Sequence, residues 1–230
     1  MKIAVWGLNF VLGKKNLEDR RIKELELLLH PKRVSPIQIE LLDFSHLRDA
    51  DAIILKENLK EDLLLMDLER IEELVLKNQT QRAFFTELKE ILEKEIFLNE
   101  VNFSSQDYEI IQVSHLLTIK PTVLMKEEEI ELLKDKIKEL YYKAKRICFF
   151  TANENELRAW EIKQGTNAYQ ASGLIHSDIQ KGFIRAEVIG YDSIIQAGGV
   201  PEAKAKGLMR LENKEYIIQD GDLIYFRFNV

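Results

Sequence analysis

The 230-residue sequence contains no glycine between Gly13 and Gly165. Glycine supplies the positive φ angles that tight turns and phosphate-binding loops require. This long interval therefore offers few positions at which the backbone could wrap around a nucleotide. Eight of the ten glycines lie in the last 66 residues, so the two ends of the chain differ in construction and we expect a domain boundary between them.

Cysteine and long apolar runs are also scarce, and the 33 basic residues are outnumbered by 39 acidic ones. Cys148 is the only cysteine, which excludes an intrachain disulfide and fits a reducing cytosol, and we expect its thiol to be a small buried hydrophobe. No apolar run approaches the roughly 18 to 20 residues of a membrane span, and no signal-peptide pattern opens the chain. The formal charge of −6 excludes a global field that attracts nucleic acid. We therefore expect a cytoplasmic protein with no membrane contact.

Short apolar runs alternate with helical patterns over residues 1–146, which we interpret as one domain. A helix-period pattern predicts a helix over 16–29, directly after the first strand. Such alternation is typical of an α/β fold with a mostly parallel sheet and covering helices. The predicted strands are 2–6, 37–44, 52–55, 122–125 and 147–151.

A helical hairpin interrupts this alternation at about 57–101. Leu64, Leu68, Ile71 and Val75 are spaced by four and three, the pattern breaks at 77–82, and it resumes from Phe84. Two antiparallel helices packed on each other satisfy this spacing. The apolar positions of this arm are explained either by that packing or by a protein partner. Two further helices are predicted over 104–118 and 127–145.

Residues 147–230 form a second predicted domain of short strands and glycine turns. A short helix is expected over 167–174, and the segment 219–222 is predicted to be the tight turn of a terminal hairpin. This order of elements predicts a compact β-grasp module. Its strands after the first are expected at 158–163, 182–189, 209–218 and 223–229.

The C-terminal segments closely resemble the TGS domain of YchF-type proteins, which are Obg-related P-loop NTPases that associate with ribosomes. The resemblance implies a ubiquitin-like β-grasp fold and the ribosome or RNA as partner. In residues 1–146 the family resemblance is fragmentary, at 45–53, 64–72 and 116–121, with shorter spacing than in relatives. The C-terminal resemblance is carried by 149–152, 156–162, 165–166, 173–178, 181–188, 191–192, 219–222 and 226–230.

The nucleotide motifs that this resemblance implies are degenerate. A phosphate loop has four residues between its glycines and a Ser or Thr after its lysine. Here five residues separate Gly7 from Gly13, and Lys15 follows Lys14, so an ammonium replaces the hydroxyl that holds Mg²⁺. The second switch keeps Asp43 without its glycine. The base-reading Asn-x-x-Glu that the family places after Pro121 is also missing, because 126–128 is Lys-Glu-Glu.

We therefore predict a noncatalytic, ribosome- or RNA-associated binding module, with no catalytic residues, no metal site and no cofactor. The alternatives are a weak NTPase that binds ATP or GTP with magnesium, and a regulatory protein that binds its partner through the helical arm. The residual nucleotide site would comprise Gly7, Asn9, Gly13, Lys14, Lys15 and Asp43. The RNA or partner site would comprise Arg158, Trp160, His176, Asp178, Lys181, Arg185 and Arg227.

Three of these assignments have simpler alternatives. Lys14 and Lys15 are either an anion site at the N-terminus of the first helix or two solvated lysines. His176 is either an RNA-contacting residue, as related TGS domains imply, or part of a turn in which Asp178 caps the next segment. The arginines would contact phosphate from an exposed sheet face near Trp160 or Phe183, or form an ordinary solvated surface.

Overall fold

In the computed structural model, which describes residues 1–229, the strands follow most of the short apolar runs. In chain order they are β1 (Lys2–Trp6), β2 (Gly13–Asn16), β3 (Arg33–Ser35), β4 (Gln38–Leu42), β5 (Ala52–Lys56), β6 (Thr122–Met125), β7 (Arg146–Ala152), β8 (Glu156–Lys163), β9 (Phe183–Gly190), β10 (Arg210–Glu212) and β11 (Asp222–Phe228).

The helices include three that the sequence pattern did not indicate, at Ser177–Lys181, Tyr191–Ala197 and Val200–Ala205. In chain order the helices are α1 (Arg20–Leu29), α2 (Lys60–Lys77), α3 (Arg82–Glu93), α4 (Ser105–Val113), α5 (Leu133–Lys143), α6 (Ala168–Ile175), α7 (Ser177–Lys181), α8 (Tyr191–Ala197) and α9 (Val200–Ala205). Short 3-10 turns occur at Phe44–His46, Glu57–Leu59, Gln79–Gln81, Leu98–Glu100 and Glu127–Leu132. Within residues 1–229, no helix is both long and apolar enough to cross a bilayer.

The chain divides into two compact units. The first unit comprises Met1–Lys15 and Ile39–Ala144, and the second comprises Asn16–Gln38 and the residues from Lys145 onward. The segment 16–38 thus groups with the C-terminal residues, although the sequence pattern places it in the predicted domain 1–146. The cause is sheet pairing, because β3 joins β8 in parallel, with Val34 opposite Leu157.

A sheet of order β2-β4-β1-β5-β6 organises the first unit. β1 pairs in parallel with both β4 and β5, and β5 pairs in parallel with β6. Ile3, Ala4, Ile53 and Leu55 are fully buried. Strands covered on both faces have continuous apolar runs, which is why the sequence predicts this sheet. The predicted α/β class is confirmed.

The helical hairpin α2 and α3 shares the core of the first sheet. Its buried side chains form one apolar cluster with Ala4 and Leu55. Lys89 of α3 pairs with Glu72 at 2.7 Å, and Lys60 pairs with Glu95 at 3.4 Å. Lys60, at the start of α2, thus meets Glu95, just after the end of α3, whereas Glu72, further along α2, meets the earlier Lys89. The two helices are therefore antiparallel. Packing against each other and against the sheet explains their apolar stripes.

A mixed sheet of order β10-β9-β11-β7-β8-β3 organises the second unit. Side chains alternate between its two faces. Phe149, Val188 and Ile224 lie in one apolar cluster with Ala168 and Ala171 of α6, and we call this face the α6 side. The opposite face, which carries Cys148 and Phe150 and contacts Arg21 of α1, is called the α1 side.

The predicted terminal hairpin is wrong. β9 lies between β10 and β11, and it pairs in antiparallel fashion with both. The segment 219–222 closes a turn through Asp222 N and Gln219 O at 3.1 Å, but that turn does not join two paired strands. Local turn residues predicted the bend correctly, whereas the strand partner is decided by the sheet.

Candidate functional site

Residues 7–15, which correspond to the phosphate-loop region, form a loop followed by a strand. Gly7 has φ of +79°, and a Cβ there would lie 2.3 Å from Leu59 Cδ1 and 2.9 Å from Lys56 Cβ. The absence of a side chain at Gly7 is therefore required by close packing. Gly13, Lys14 and Lys15 belong to β2, which is an edge strand hydrogen-bonded to β4.

The helix predicted over 16–29 is confirmed at Arg20–Leu29, but its expected start directly after Lys15 is wrong. Asn16 ends β2, and Leu17 N donates to Ile37 O at 2.8 Å in an extended arrangement. The carboxylate of Asp19 accepts from Arg21 N at 2.9 Å, so α1 begins at Arg20. Lys14 and Lys15 therefore do not lie at a helix N-terminus, and the helix amides that would cradle an anion are not beside them.

Asp43, which the sequence resemblance assigns to the second switch, caps a short 3-10 turn. Its carboxylate accepts from Ser45 N at 2.8 Å and lies 3.3 Å from His46 Nδ1. The hydrogen bonds from Ser45 lower the pKa of Asp43 below its ordinary value. The structure brings Gly7 and Asp43 to the same edge of the first sheet, after β1 and β4, whereas Asn9 is an exposed loop residue.

Two ion pairs lie at the carboxyl ends of β5 and β6. Lys56 pairs with Glu127 at 2.8 Å, and Lys126 pairs with Glu57 at 3.7 Å. In parallel α/β sheets, nucleotides bind outside this edge of the sheet. Here both lysines have carboxylate partners from the neighbouring segment. The region that would read the base is thus a set of mutually paired surface charges.

A buried carboxylate on the hairpin holds the segment that leads into β6. Asp67, which is 1% exposed, accepts from Leu117 N at 2.8 Å, Thr118 N at 2.7 Å and Thr118 Oγ1 at 2.7 Å. Burial raises the pKa of Asp67, although these bonds favour its charged form. Lys120 donates to three backbone carbonyls of the turn 47–50. The family-like fragment 116–121 therefore contacts both of the other family-like fragments, 64–72 and 45–53, for structural reasons.

The predicted RNA-binding residues of the second unit divide between the two faces of its sheet. Arg158 and Trp160 lie on the α6 side, because Trp160 packs on that apolar cluster and Arg158 is two residues away. Arg185 and Arg227 are cross-strand partners next to the pair Ala186 and Phe226, so they point to the α1 side. The expectation that Trp160 or Phe183 lies near these two arginines is wrong, because both rings pack on the α6 side.

The two arginines of the α1 side differ in their partners. Arg227 donates to both carboxylate oxygens of Glu187, at 2.9 and 3.0 Å. These contacts raise the pKa of Arg227. Arg185 is exposed, and no acceptor contacts it among the described residues. Arg185 and Arg227 lie opposite each other on neighbouring strands, so their positive charges repel. The carboxylate of Glu187, which is paired with Arg227, offsets that repulsion.

His176 is the N-cap of α7. Its Nδ1 accepts from Asp178 N at 3.2 Å, and Asp178 Oδ2 lies 3.4 Å from the same nitrogen. The alternative in which Asp178 caps the following segment is wrong, because the capping acceptor is the imidazole. Both side chains are exposed, at 62% and 57%. Lys181 is the last residue of α7 and is also exposed.

Sequence reasoning missed a charged cluster on the α1 side of the second sheet. Arg21 Nη2 lies 2.8 Å from Asp19 Oδ2 and 3.3 Å from Cys148 Sγ, and Arg21 Nη1 lies 3.0 Å from Asp220 Oδ2. Burial opposes the charge of Arg21, but the two carboxylates raise its pKa above the ordinary value. Burial raises the pKa of the Cys148 thiol, as expected of a buried cysteine. The only signal for this cluster was two acidic residues in a turn-rich segment.

No metal centre is formed by the part of the chain that the structure describes, since no group of three or more His, Cys, Asp or Glu side chains converges there. Two large apolar side chains of α2, Leu65 and Leu76, are 55% and 83% exposed. They lie beside Glu69 and Glu72 on the outward face of the hairpin. A partner for this face stays a prediction.

Comparison with known proteins gives matches of two kinds. The family model YchF-GTPase_C, described as a protein of unknown function (DUF933), matches residues 147–229. The Ribosome-binding ATPase YchF of Haemophilus ducreyi is 55% identical over 82 residues, which are 36% of this chain and 23% of that relative. Obg-like ATPase 1 of Caenorhabditis elegans is 45% identical over 46% of this chain and 27% of its own length.

Longer matches cover nearly the whole chain at lower identity. The Ribosome-binding ATPase YchF of Bacillus subtilis is 27% identical over 326 aligned positions, which cover 95% of this chain and 89% of the relative. Because the chain has only 230 residues, the relative carries additional segments between the matched ones. The solved YchF GTPase of Schizosaccharomyces pombe has a TM-score of 0.81 at 20% identity, covering 96% of this chain and 89% of that one. This likeness shows the fold.

Proposed function

Because this chain is a YchF-family homologue, we propose that it is a noncatalytic, cytosolic binding module that associates with the ribosome through its second unit. Two of the relatives are named ribosome-binding ATPases. Identity is 55% over the shorter match of 82 residues against 27% over nearly the whole chain, and the YchF-GTPase_C model, of about the same length as the shorter match, covers residues 147–229. The part that is most similar to a ribosome-binding relative is therefore the part we assign to ribosome contact.

The observation that carries the noncatalytic assignment is the strand β2 at Gly13–Asn16. Phosphate binding by a P-loop depends on free backbone amides at the start of a helix, with a lysine and a hydroxyl beside them. In this chain the backbone of the same residues pairs with β4. Lys15 also places an ammonium where magnesium would need an oxygen ligand. Neither phosphate nor metal has its usual protein partners here.

We assign residues 147–230 to a TGS module with β-grasp topology. A mixed sheet with α6 packed on one face supports this assignment. The α6 side is the proposed contact surface, because it carries Arg158 and Trp160. His176 and Lys181, at the two ends of the helix α7 that follows α6, complete the proposed surface. Arg185 and Arg227 lie on the other side and are not part of this surface.

Co-sedimentation with ribosomes over a salt series tests the proposal. Since the chain has a formal charge of −6, binding must depend on a local basic surface and should weaken as salt rises. We expect co-pelleting at low salt and its loss at high salt. A folded protein that stays in the supernatant at low salt would exclude ribosome association.

The second candidate is a residual nucleotide-binding enzyme, favoured by the name ATPase that the relatives share. Gly7, Gly13 and Lys14 would contact the phosphates in that case. Titration calorimetry with ATP and with GTP, each with and without Mg²⁺, separates the two candidates. Magnesium-dependent binding with a measurable heat would favour the enzyme, and the absence of heat with either nucleotide would favour the binding module.

A further inference from the structure

The guanidinium of Arg158 stacks on the indole of Trp160, on the α6 side of the second sheet. Its central carbon lies 4.1 Å from the ring centroid. The ring is itself fixed, because Trp160 Nε1 donates to Thr151 Oγ1 at 2.9 Å and the ring lies nearly parallel to Phe149, at 6.3 Å and 13°. Stacking thus holds the planar guanidinium of Arg158 against the Trp160 ring, which is itself fixed by its contacts with Thr151 and Phe149.

Arg158 differs from the other arginines of the second unit in combining order with free donors. Arg21, Arg33, Arg210 and Arg227 each donate to a carboxylate. Arg158 is exposed and has neither a hydrogen bond nor an ion pair with any described residue. Arg185 is also without such a contact but has no ring beneath it. Arg158 therefore keeps all five N–H donors of its guanidinium available while its plane is held in place.

We infer that Arg158 and Trp160 form a ribonucleotide-binding platform for unpaired RNA, which names the ligand of the surface assigned under the proposed function and rests on that assignment. The outer face of the guanidinium stacks on a base, and its N–H groups donate to phosphate oxygens or to the edge of a base. A guanidinium plane can stack on a nucleobase, and its N–H groups can donate two parallel hydrogen bonds to a phosphate or to the edge of a base.

Preorganisation favours this platform over a freely moving surface arginine. An unrestrained arginine loses rotamer freedom when it binds, whereas stacking on Trp160 has already restricted Arg158 in the free protein. Glu156, the carboxylate closest in sequence, already accepts from Arg33 at 2.8 Å and from Ser35 Oγ at 2.6 Å. Arg158 interacts with Glu156 through charge alone, without a hydrogen bond or a close ion pair, so its N–H donors stay available to an acceptor.

The test uses the full chain and a labelled single-stranded oligoribonucleotide, with binding measured by fluorescence anisotropy. Arg158→Lys keeps the positive charge but removes the planar guanidinium and its paired N–H donors. We expect this variant to bind the oligomer about tenfold more weakly. Arg158→Ala should weaken it at least as much. Arg185→Ala is the matched control, because it removes an exposed, unpaired guanidinium from the opposite face, and we expect a change below about twofold.

A spectroscopic readout reports on the platform itself. The chain has two tryptophans, so a Trp6→Phe background leaves Trp160 as the single emitter. We expect saturable quenching of Trp160 emission by the oligomer, with the same midpoint as the anisotropy change. Arg158→Lys should shift that midpoint by the same factor. Oligomers of uridine and of guanosine distinguish contacts to phosphate, which both share, from contacts to the base edge.

The outcomes separate this inference from the proposed function. If ribosomes pellet the unmodified chain but Arg158→Lys binds the oligomer as well as the unmodified chain does, the platform is excluded and ribosome association stands. If Arg158→Lys lowers ribosome pelleting without changing oligomer affinity, Arg158 contacts a protein carboxylate and the RNA platform is excluded. If the unmodified chain does not pellet with ribosomes, the proposed function itself fails. Equal loss of oligomer binding in Arg158→Lys and Arg185→Ala would indicate charge alone and would also overturn the inference.

Discussion

Arg21 and Asp220, which are 199 positions apart in the chain, form an ion pair with a nitrogen to oxygen distance of 3.0 Å inside the second unit. Gly221, next to Asp220, has φ of +92°, and a Cβ there would lie 3.0 Å from Arg21 Nη1. A residue of the family-like turn 219–222 thus gives the arginine room to approach. The segment 16–38 is consequently part of the fold of the C-terminal unit.

Arg21→Ala should destabilise the second unit by about 2 kcal/mol, because it leaves the carboxylates of Asp19 and Asp220 without their cation. The side chain of Arg21 is 18% exposed, so partial hydration limits the loss. Urea unfolding followed by Trp160 emission in a Trp6→Phe background measures this change. Arg20→Ala is the control, because that side chain is 88% exposed, and we expect a much smaller change in stability. Equal unfolding midpoints for the two variants would contradict the structural role of the cluster.

Asp67→Ala should destabilise the first unit by about 3 kcal/mol. The substitution leaves the buried donors of Leu117 and Thr118 without an acceptor, and an unpaired buried donor costs more than a lost surface bond. Asp67→Asn keeps one carbonyl oxygen and should cost less. Emission of Trp6 in a Trp160→Phe background reports the unfolding of this unit. Asp62→Ala, on the exposed surface of the same helix, should change stability by less than about 1 kcal/mol, and a loss as large as that of Asp67→Ala would refute the explanation.

Gly7→Ala should destabilise the first unit more than Gly165→Ala destabilises the second. Both glycines have positive φ, at +79° and +89°, so both substitutions introduce backbone strain. A methyl group on Gly7 would additionally meet Leu59 and Lys56, whereas nothing lies within 4 Å of the corresponding position on Gly165. Thermal unfolding of the two variants provides the comparison. Similar losses would mean that the loop relieves the contact and that Gly7 is not retained for packing.

Stability of the second unit should fall between about pH 10 and about pH 12 through two tyrosines. Burial and a hydrogen-bonded carboxylate, from Asp222 and Glu24 respectively, raise the pKa of Tyr216 and Tyr191 from 10.0 to about 12. A raised folded-state pKa means that the stabilisation is complete below the unfolded pKa and is lost as the pH rises through the folded one. Urea midpoints measured over this window test it. The double variant Tyr191→Phe, Tyr216→Phe should show a smaller decline, and an identical decline would assign the loss to other groups.

The sequence predicts the elements whose signal is local. The apolar runs 52–55 and 122–125 are buried parallel strands, and the broken stripe between Leu64 and Leu92 is a helical hairpin, because burial on two faces and a 3.6-residue period leave direct traces. Asn167 caps α6 through its side chain, close to the predicted start of that helix.

What the sequence does not predict depends on partners that are distant in the chain. Nothing local to 13–16 indicates an edge strand, because Gly-Lys-Lys-Asn has no apolar alternation and its conformation is set by β4. The faces to which Arg158 and Arg227 point depend on strand register, which the local residue pattern does not specify. The two-residue spacing of Arg158 and Trp160 predicts that both lie on the same face of a strand. It does not predict that the guanidinium stacks on the ring at 4.1 Å.

The most direct test of the central claim, that this chain binds the ribosome without a nucleotide cycle, is ribosome co-sedimentation at low salt with no nucleotide, with ATP and with GTP, each in the presence of Mg²⁺. Because the backbone at Gly13–Asn16 pairs in a sheet and the ammonium of Lys15 does not coordinate Mg²⁺, we expect that nucleotide does not alter the bound state. We predict that the pelleted fraction is the same in all three conditions. Pelleting that requires ATP or GTP, or that either nucleotide abolishes, would contradict the claim.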